Sequence, residues 1–136
     1  MNYPQTILLT DDEAHIRKYV GILLHRLGSP TVIEARHGQE AVELYAREDP
    51  DLVLLDVSMP GLDGLQALAQ IRSADPDAAV IMLSSLTNRQ TVEESLRLGA
   101  VCYLRKDLPN AALLAEFKRI IGEVFAGADA DPVPAP

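Results

Sequence analysis

The chain has 136 residues, enough for one domain with a buried core and too few for two ordinary ones. Its 48% hydrophobic and 24% charged residues fit a globular protein and exclude a disordered one. The net charge of −8 argues against nucleic acid or an anionic membrane as direct partner, since both call for a cationic surface.

In chain order, the first segment is the apolar run Thr6–Thr10, followed by a stripe of Ile16, Val20, Leu23, Leu24 and Leu27 at helical spacing. Thr31–Ala35 is shorter and more polar, as expected of an edge strand, and a helix is predicted over Gly38–Glu48. Leu52–Asp56 is a third apolar run, with a helix over Asp63–Ser73. Ala79–Ser84 is the fourth, with a helix over Asn88–Leu98, and Val101–Leu104 is the fifth. Leu113, Phe117, Ile120, Ile121 and Val124 then repeat the offsets of the first stripe. Gly28 and Gly99 stand where helices should stop, and Pro30, Pro50 and Pro76 lie between or just beyond elements.

Unpatterned apolar runs of four to six residues mean strands covered on both faces. Five β-α repeats with right-handed crossovers therefore predict an α/β fold, a doubly wound parallel sheet with helices on both faces. The domain is expected over residues 1–126. Gly127–Pro136 contains only Gly, Ala, Asp, Pro and Val, and is expected to be a disordered tail.

Cys102 is the only cysteine, which leaves no intramolecular disulfide and makes the cytoplasm the expected compartment. Between Val101 and Tyr103 it reads as a buried small hydrophobe. Met1–Thr10 has no basic leader, so no signal peptide is expected. Ala78–Leu86, the longest apolar stretch, falls well short of the roughly 20 residues that cross a bilayer. His15, His25 and His37 show no ligand spacing.

In a doubly wound sheet, ligands sit beyond the carboxyl ends of the strands. There this sequence places Asp11-Asp12-Glu13, Asp56, Ser84-Ser85 and Arg105-Lys106-Asp107. Taken singly, each could be a solvated loop mouth, and Asp11 or Asp12 could simply cap the first helix. Together they gather Asp11, Asp12 and Asp56, which as neighbouring carboxylates raise one another's pKa or need a cation between them. Mg²⁺ suits a few carboxylates plus a phosphate, with Lys106 as fixed positive charge and Ser84 as hydroxyl donor. Metal, cation, hydroxyl and a carboxylate nucleophile are the parts of phosphoryl transfer.

These residues resemble bacterial response-regulator receivers: Asp11-Asp12 after a strand, Asp56 in Leu-Leu-Asp-Val-Ser-Met-Pro-Gly-Leu-Asp-Gly, Ser84 after the fourth strand, and Lys106 after Tyr103. The resemblance covers about residues 5 to 126. It implies the flavodoxin-like strand order 2-1-3-4-5 and a two-component phosphoacceptor switch, not an enzyme. Asp56 would be phosphorylated by a histidine kinase or histidine phosphotransfer protein. Asp12 and Asp56 would ligate Mg²⁺ directly, Ser58 through its main-chain carbonyl, and Asp11 through water. Lys106 would pair with the phosphoryl oxygens. Ser84 would hydrogen-bond the phosphoryl group and draw Tyr103 inward, changing the surface of helix 4, strand 5 and helix 5 toward a downstream protein target. A monomer or weak dimer is implied.

One departure is Lys106-Asp107 in place of the family's common Lys-Pro, often cis. A cis bond to a non-proline residue costs about 3 kcal/mol, so trans is expected. Receivers joined to helix-turn-helix output domains often carry Lys-Asp here. A freestanding regulator is favoured over a piece of a longer DNA-binding one, because the Ala/Pro tail resembles a natural end. Ser58 and Leu86 flank the acceptor, and apolar Leu86 is expected to prolong the phosphorylated state. Arg89, Arg97, Arg105, Lys118 and Arg119 fall on the output face among Glu93, Glu94 and Glu116, and an ordinary solvated face is expected.

Two rivals fit less well. An aspartyl-nucleophile phosphohydrolase usually carries a second Asp two residues after the first, where this chain has Ser58. A flavin-binding module needs a Ser/Thr/Gly-rich loop after the first strand, where this chain has Asp-Asp-Glu.

Overall fold

The computed structural model describes residues 4–86 and 88–129, with side chains to residue 125. Five strands alternate with five helices: β1 (Thr6–Thr10), α1 (Ala14–His25), β2 (Thr31–Ala35), α2 (Gly38–Glu48), β3 (Leu52–Leu55), α3 (Gly64–Ala74), β4 (Val80–Ser84), α4 (Arg89–Arg97), β5 (Cys102–Arg105) and α5 (Asn110–Asp129). All neighbouring strands pair in parallel, in the order β2-β1-β3-β4-β5. This is the doubly wound, flavodoxin-like sheet expected from the sequence, with β2 at one edge. Boundaries differ by a residue in places: Asp56 lies just beyond β3, and β5 is shifted one residue onward from Val101.

Alternate residues of each strand feed two separate cores. Leu8, Val53, Leu55, Val80 and Met82 pack with Ala41, Leu44, Tyr45, Ala67, Leu68 and Ile71 of α2 and α3. Ile7, Leu9, Leu52, Leu54, Ile81 and Leu83 pack with Val20, Leu23 and Leu24 of α1 and with Leu113, Phe117, Ile120 and Ile121 of α5. Burial on both faces is the reason β1, β3 and β4 lack alternation in sequence. Each fully buried Leu, Ile or Phe contributes about 1.5–3 kcal/mol of transfer free energy.

Helix ends carry local signals. Asp63 and Gln66 form a reciprocal capping box at α3, Asn88 caps α4 through Thr91 N, and His37 caps α2 by accepting from Glu40 N. The His37 role had no clear sequence signal. Neither Asp11 nor Asp12 is the N-cap of α1: Glu13 holds that position without a side-chain cap bond. Gly28 and Gly99 stop helices at φ 111° and 106°, the left-handed region that glycine enters freely.

Two expectations shift. Cys102 is half-buried, not fully enclosed, because β5 is the second edge of the sheet. Gly127, Ala128 and Asp129 are helical, extending α5 into the segment that composition assigned to the tail, and residues 130–136 lie outside the described ones. No described helix is long and apolar enough to cross a membrane.

Candidate metal and phosphoacceptor site

The carboxyl ends of β1, β3, β4 and β5 open on one rim, so the chain delivers its polar residues there by topology. From β1 come Asp11 and Asp12. Asp11 is 2% exposed, while Asp12 is open to solvent. Asp11 N donates to Ala35 O at 3.1 Å, and its Oδ1 accepts from Glu13 N at 2.9 Å. From β3 comes Asp56, also 2% exposed, with N donating to Thr10 O at 3.1 Å and Oδ1 accepting a long 3.4 Å bond from Ser58 N.

The loop after β3 turns back so that α3 starts against the acceptor's own backbone. Gly64 N donates to Val57 O at 2.9 Å, and a Cβ on Gly64 would lie 2.0 Å from Asp56 O and 2.7 Å from Val57 Cα. Only glycine allows that approach. Asp56 is thereby held between β1 and the first turn of α3.

Lys106, just past β5, reaches across to this pair. Its Nζ lies 2.8 Å from Asp11 Oδ2 and 3.0 Å from Asp56 Oδ2, with Glu13 Oε1 farther off at 3.8 Å. Burial pushes the Asp56 carboxyl above its ordinary range, more than the hydrogen bond and charge of Lys106 pull it down; the Asp11 charge adds to the rise. Burial works against the Lys106 ammonium too, but its bonds to Asp11 and Asp56 outweigh that and hold its pKa above the ordinary value. Lys106 is therefore a permanent cation at neutral pH.

One oxygen each of Asp11, Asp12 and Asp56 can be chosen so that all lie within 4.8 Å of one another. All three donors are hard oxygens, and Asp12 opens the cluster to water. That donor set fits Mg²⁺, which keeps several waters and takes few carboxylates. The cluster brings together the three carboxylates singled out in sequence.

Ser84 ends β4, fully buried, and its Oγ accepts from Leu86 N at 3.2 Å. Tyr103 OH donates to the carbonyl of the same residue, Leu86. The backbone of Leu86 therefore joins the two, its N–H to Ser84 and its carbonyl to Tyr103, and Tyr103 is half-buried, its phenol pKa raised chiefly by burial. Leu86 is itself 38% exposed. The Lys106-Asp107 bond is not cis, and Asp107 accepts two 3.1 Å bonds from Arg105. On the face formed by α4, β5 and α5, Arg89 pairs with Glu93, Arg97 with Glu94, and Arg119 with Glu116 and Glu123. These exposed pairs match the expected solvated face. Sequence inspection missed a partly buried contact beside the site, from Arg17 to Asp11 O, because nothing local marks a residue six positions on as a partner.

The fold and the site together define a class: a doubly wound α/β domain whose sheet rim carries a cation-ready acidic cluster with a lysine bridging two of its carboxylates. The chain belongs to the response regulator receiver domain family, whose model matches residues 7–118. It is 36% identical over 132 residues to the nitrate/nitrite response regulator NarL of Escherichia coli K12, covering 96% of this chain and 61% of NarL. It is 37% identical over 100 residues to the chemotaxis protein CheY of Bacillus subtilis, covering 74% of this chain and 83% of CheY. Among solved structures it is similar to a CheX–CheY–BeF₃–Mg²⁺ complex from Borrelia burgdorferi, with TM-score 0.80, 32% identity, and 87% and 90% of the two chains covered. The chain thus spans about three fifths of NarL's length. It is a receiver of the two-component type, and receivers bind Mg²⁺ at an acidic cluster like this one.

Proposed function

We propose that Asp56 accepts a phosphoryl group from a histidine kinase or histidine phosphotransfer protein, and that the resulting charge switches the surface of α4, β5 and α5 toward a protein target. The observation that carries this reading is Asp56 itself: a buried carboxylate, bridged to Asp11 by Lys106, beside a donor set that fits Mg²⁺. Asp12 and Asp56 would hold the ion directly, Asp11 through water, and Ser58 through its main-chain carbonyl. When bound, Mg²⁺ neutralises charge on the incoming phosphoryl oxygens.

The chain's own residues do the rest. An Asp56 carboxylate oxygen attacks phosphorus, the oxygen–phosphorus bond forms as the phosphorus–nitrogen bond of the donor breaks, and the leaving imidazole takes a proton from solvent. Burial leaves this carboxylate poorly solvated, which favours attack on a compact anionic group already paired with cations. Lys106 turns from the Asp11–Asp56 bridge to the phosphoryl oxygens. Ser84 Oγ, once it donates to the phosphoryl group, moves the Leu86 backbone to which it is bonded. Tyr103, bonded to Leu86 at the other end, follows inward. The chain is a phosphoacceptor switch that assists its own phosphorylation and dephosphorylation, acts in the cytoplasm as a monomer or weak dimer, and touches neither nucleic acid nor membrane.

The test is acetyl phosphate with Mg²⁺ and intact mass of wild type and Asp56→Asn. One added phosphoryl group in wild type and none in the variant is expected; equal labelling of both would reject Asp56 as acceptor. A second reading, favoured by the partial coverage of NarL, is that these residues are the receiver part of a longer DNA-binding regulator. Immunoblotting the protein in its native cells for a larger product separates the two.

A further inference from the structure

We propose that Arg17, which no sequence motif marked, is a positioning residue for the Mg²⁺ cluster: it fixes the Asp11–Asp12 peptide so that Asp12 is presented to the ion. This deepens the receiver reading above and rests on it.

The geometry is specific. Arg17 lies one turn into α1, yet its side chain is only 11% exposed because it folds back over the carboxyl ends of β1 and β2. Nη1 donates to the main-chain carbonyl of Asp11 at 2.7 Å, and Nε donates to Glu34 Oε1 at 2.8 Å. That carbonyl belongs to the peptide joining Asp11 to Asp12. The Asp11 amide is already held by Ala35 O, and the Asp11 carboxylate by Glu13 N and Lys106. What those bonds leave undetermined is the rotation of the Asp11–Asp12 peptide plane, on which the direction of the exposed Asp12 side chain depends. Arg17 closes that freedom.

Glu34, the last residue but one of β2, keeps the guanidinium aimed by engaging Nε while Nη1 engages the carbonyl. A planar fork can serve two acceptors in fixed directions; a lysine ammonium is a point charge on a flexible stem. A carboxylate that must ligate from a loop loses affinity when the loop is free to turn. Groups that orient a metal's ligands typically change affinity by about 10- to 100-fold when removed. Arg17 bonds to Glu34 and to the Asp11 carbonyl and forms no hydrogen bond or ion pair with Asp56 or Lys106, so the acceptor's intrinsic reactivity does not depend on it.

The experiment measures Mg²⁺ affinity by calorimetric titration, and separately the Mg²⁺ dependence of phosphorylation by acetyl phosphate, for wild type, Arg17→Met, Arg17→Lys and Glu34→Gln. Arg17→Met is expected to weaken Mg²⁺ binding by about tenfold or more, to shift the Mg²⁺ midpoint of phosphorylation by the same factor, and to keep the rate at saturating Mg²⁺ within about twofold. Arg17→Lys should recover only part of the affinity, and Glu34→Gln should show a smaller loss of the same kind. Unchanged Mg²⁺ affinity in folded Arg17→Met overturns the proposal, as does a lost saturating rate at unchanged affinity. Should Arg17→Met not fold, Arg17→Lys and Glu34→Gln decide: wild-type affinity in both overturns it. Wild type that binds no Mg²⁺ and gains no phosphoryl group is a different outcome, and it sinks the receiver reading itself.

Discussion

Replacing Lys106 by methionine should destabilise the fold in a way that depends on both charge and metal. The ammonium sits 2.8 and 3.0 Å from Asp11 and Asp56, whose side chains are each 3% exposed, and is itself only 11% exposed. Without it, two buried carboxylates face each other across no more than 4.8 Å. At an effective dielectric constant near 20, that repulsion is about 3 kcal/mol. Removing one partner of a buried charge pair typically costs about 3–5 kcal/mol. Asp12 opens this rim to water, so a loss of about 2–3 kcal/mol at neutral pH is expected, or roughly 10 °C in Tm.

Urea unfolding in a chelator measures it, and the Lys106→Met/Asp56→Asn double variant isolates the pair. Removing the Asp56 charge should restore at least half of the loss. The pH dependence has a definite sign. The folded-state pKa of Asp56 is raised by burial, so its contribution is fully present below the unfolded carboxylate value, about 3.9, and is lost as pH rises through the folded pKa. Losing Lys106 raises that pKa further. The deficit of Lys106→Met relative to wild type should therefore grow from acidic to neutral pH, and saturating Mg²⁺ should narrow it by replacing the missing cation. A double variant as unstable as the single one, or a deficit indifferent to pH, would mean that Lys106 does not hold buried carboxylate charge in check.

Gly64→Ala places a methyl group 2.0 Å from the Asp56 carbonyl oxygen, against backbone that cannot yield, and should lower stability by more than about 3 kcal/mol in urea unfolding. Gly21→Ala is the opposite case: nothing lies within 4 Å of the added methyl in the interior of α1, so a gain of about 0.5–1 kcal/mol is expected on the same assay. Leu86→Glu puts a group able to orient water at a 38% exposed position beside Ser84, and should speed loss of the phosphoryl group in an autodephosphorylation time course. No acceleration would discount Leu86 as a shield.

Much of this protein is written in short stretches of its chain. Strands buried on both faces must be continuously apolar, so Leu52–Leu55 and Val80–Leu83 announce themselves, and the polar residue after each apolar run announces the rim. The stripes of α1 and α5 likewise show which faces turn inward. A clean end to the domain was not legible. Gly127–Asp129 continue α5 although Gly, Ala and Asp by themselves suggest a tail, because helix continuation follows from the preceding turns as much as from composition.

Short stretches of chain were enough to read the alternation of elements, the acidic and basic residues at the strand ends, and the receiver family that those residues resemble. They sufficed because backbone periodicity and strand-end placement are local properties, visible within a dozen residues. That Lys106 bridges Asp11 and Asp56, that Gly64 abuts the Asp56 backbone, and that Arg17 braces Asp11 from Glu34 came only with the folded chain. Those contacts join residues whose separations are set by how helices fold back across the sheet. Their strength, moreover, depends on the burial that closes around them, a quantity that no stretch of chain possesses alone.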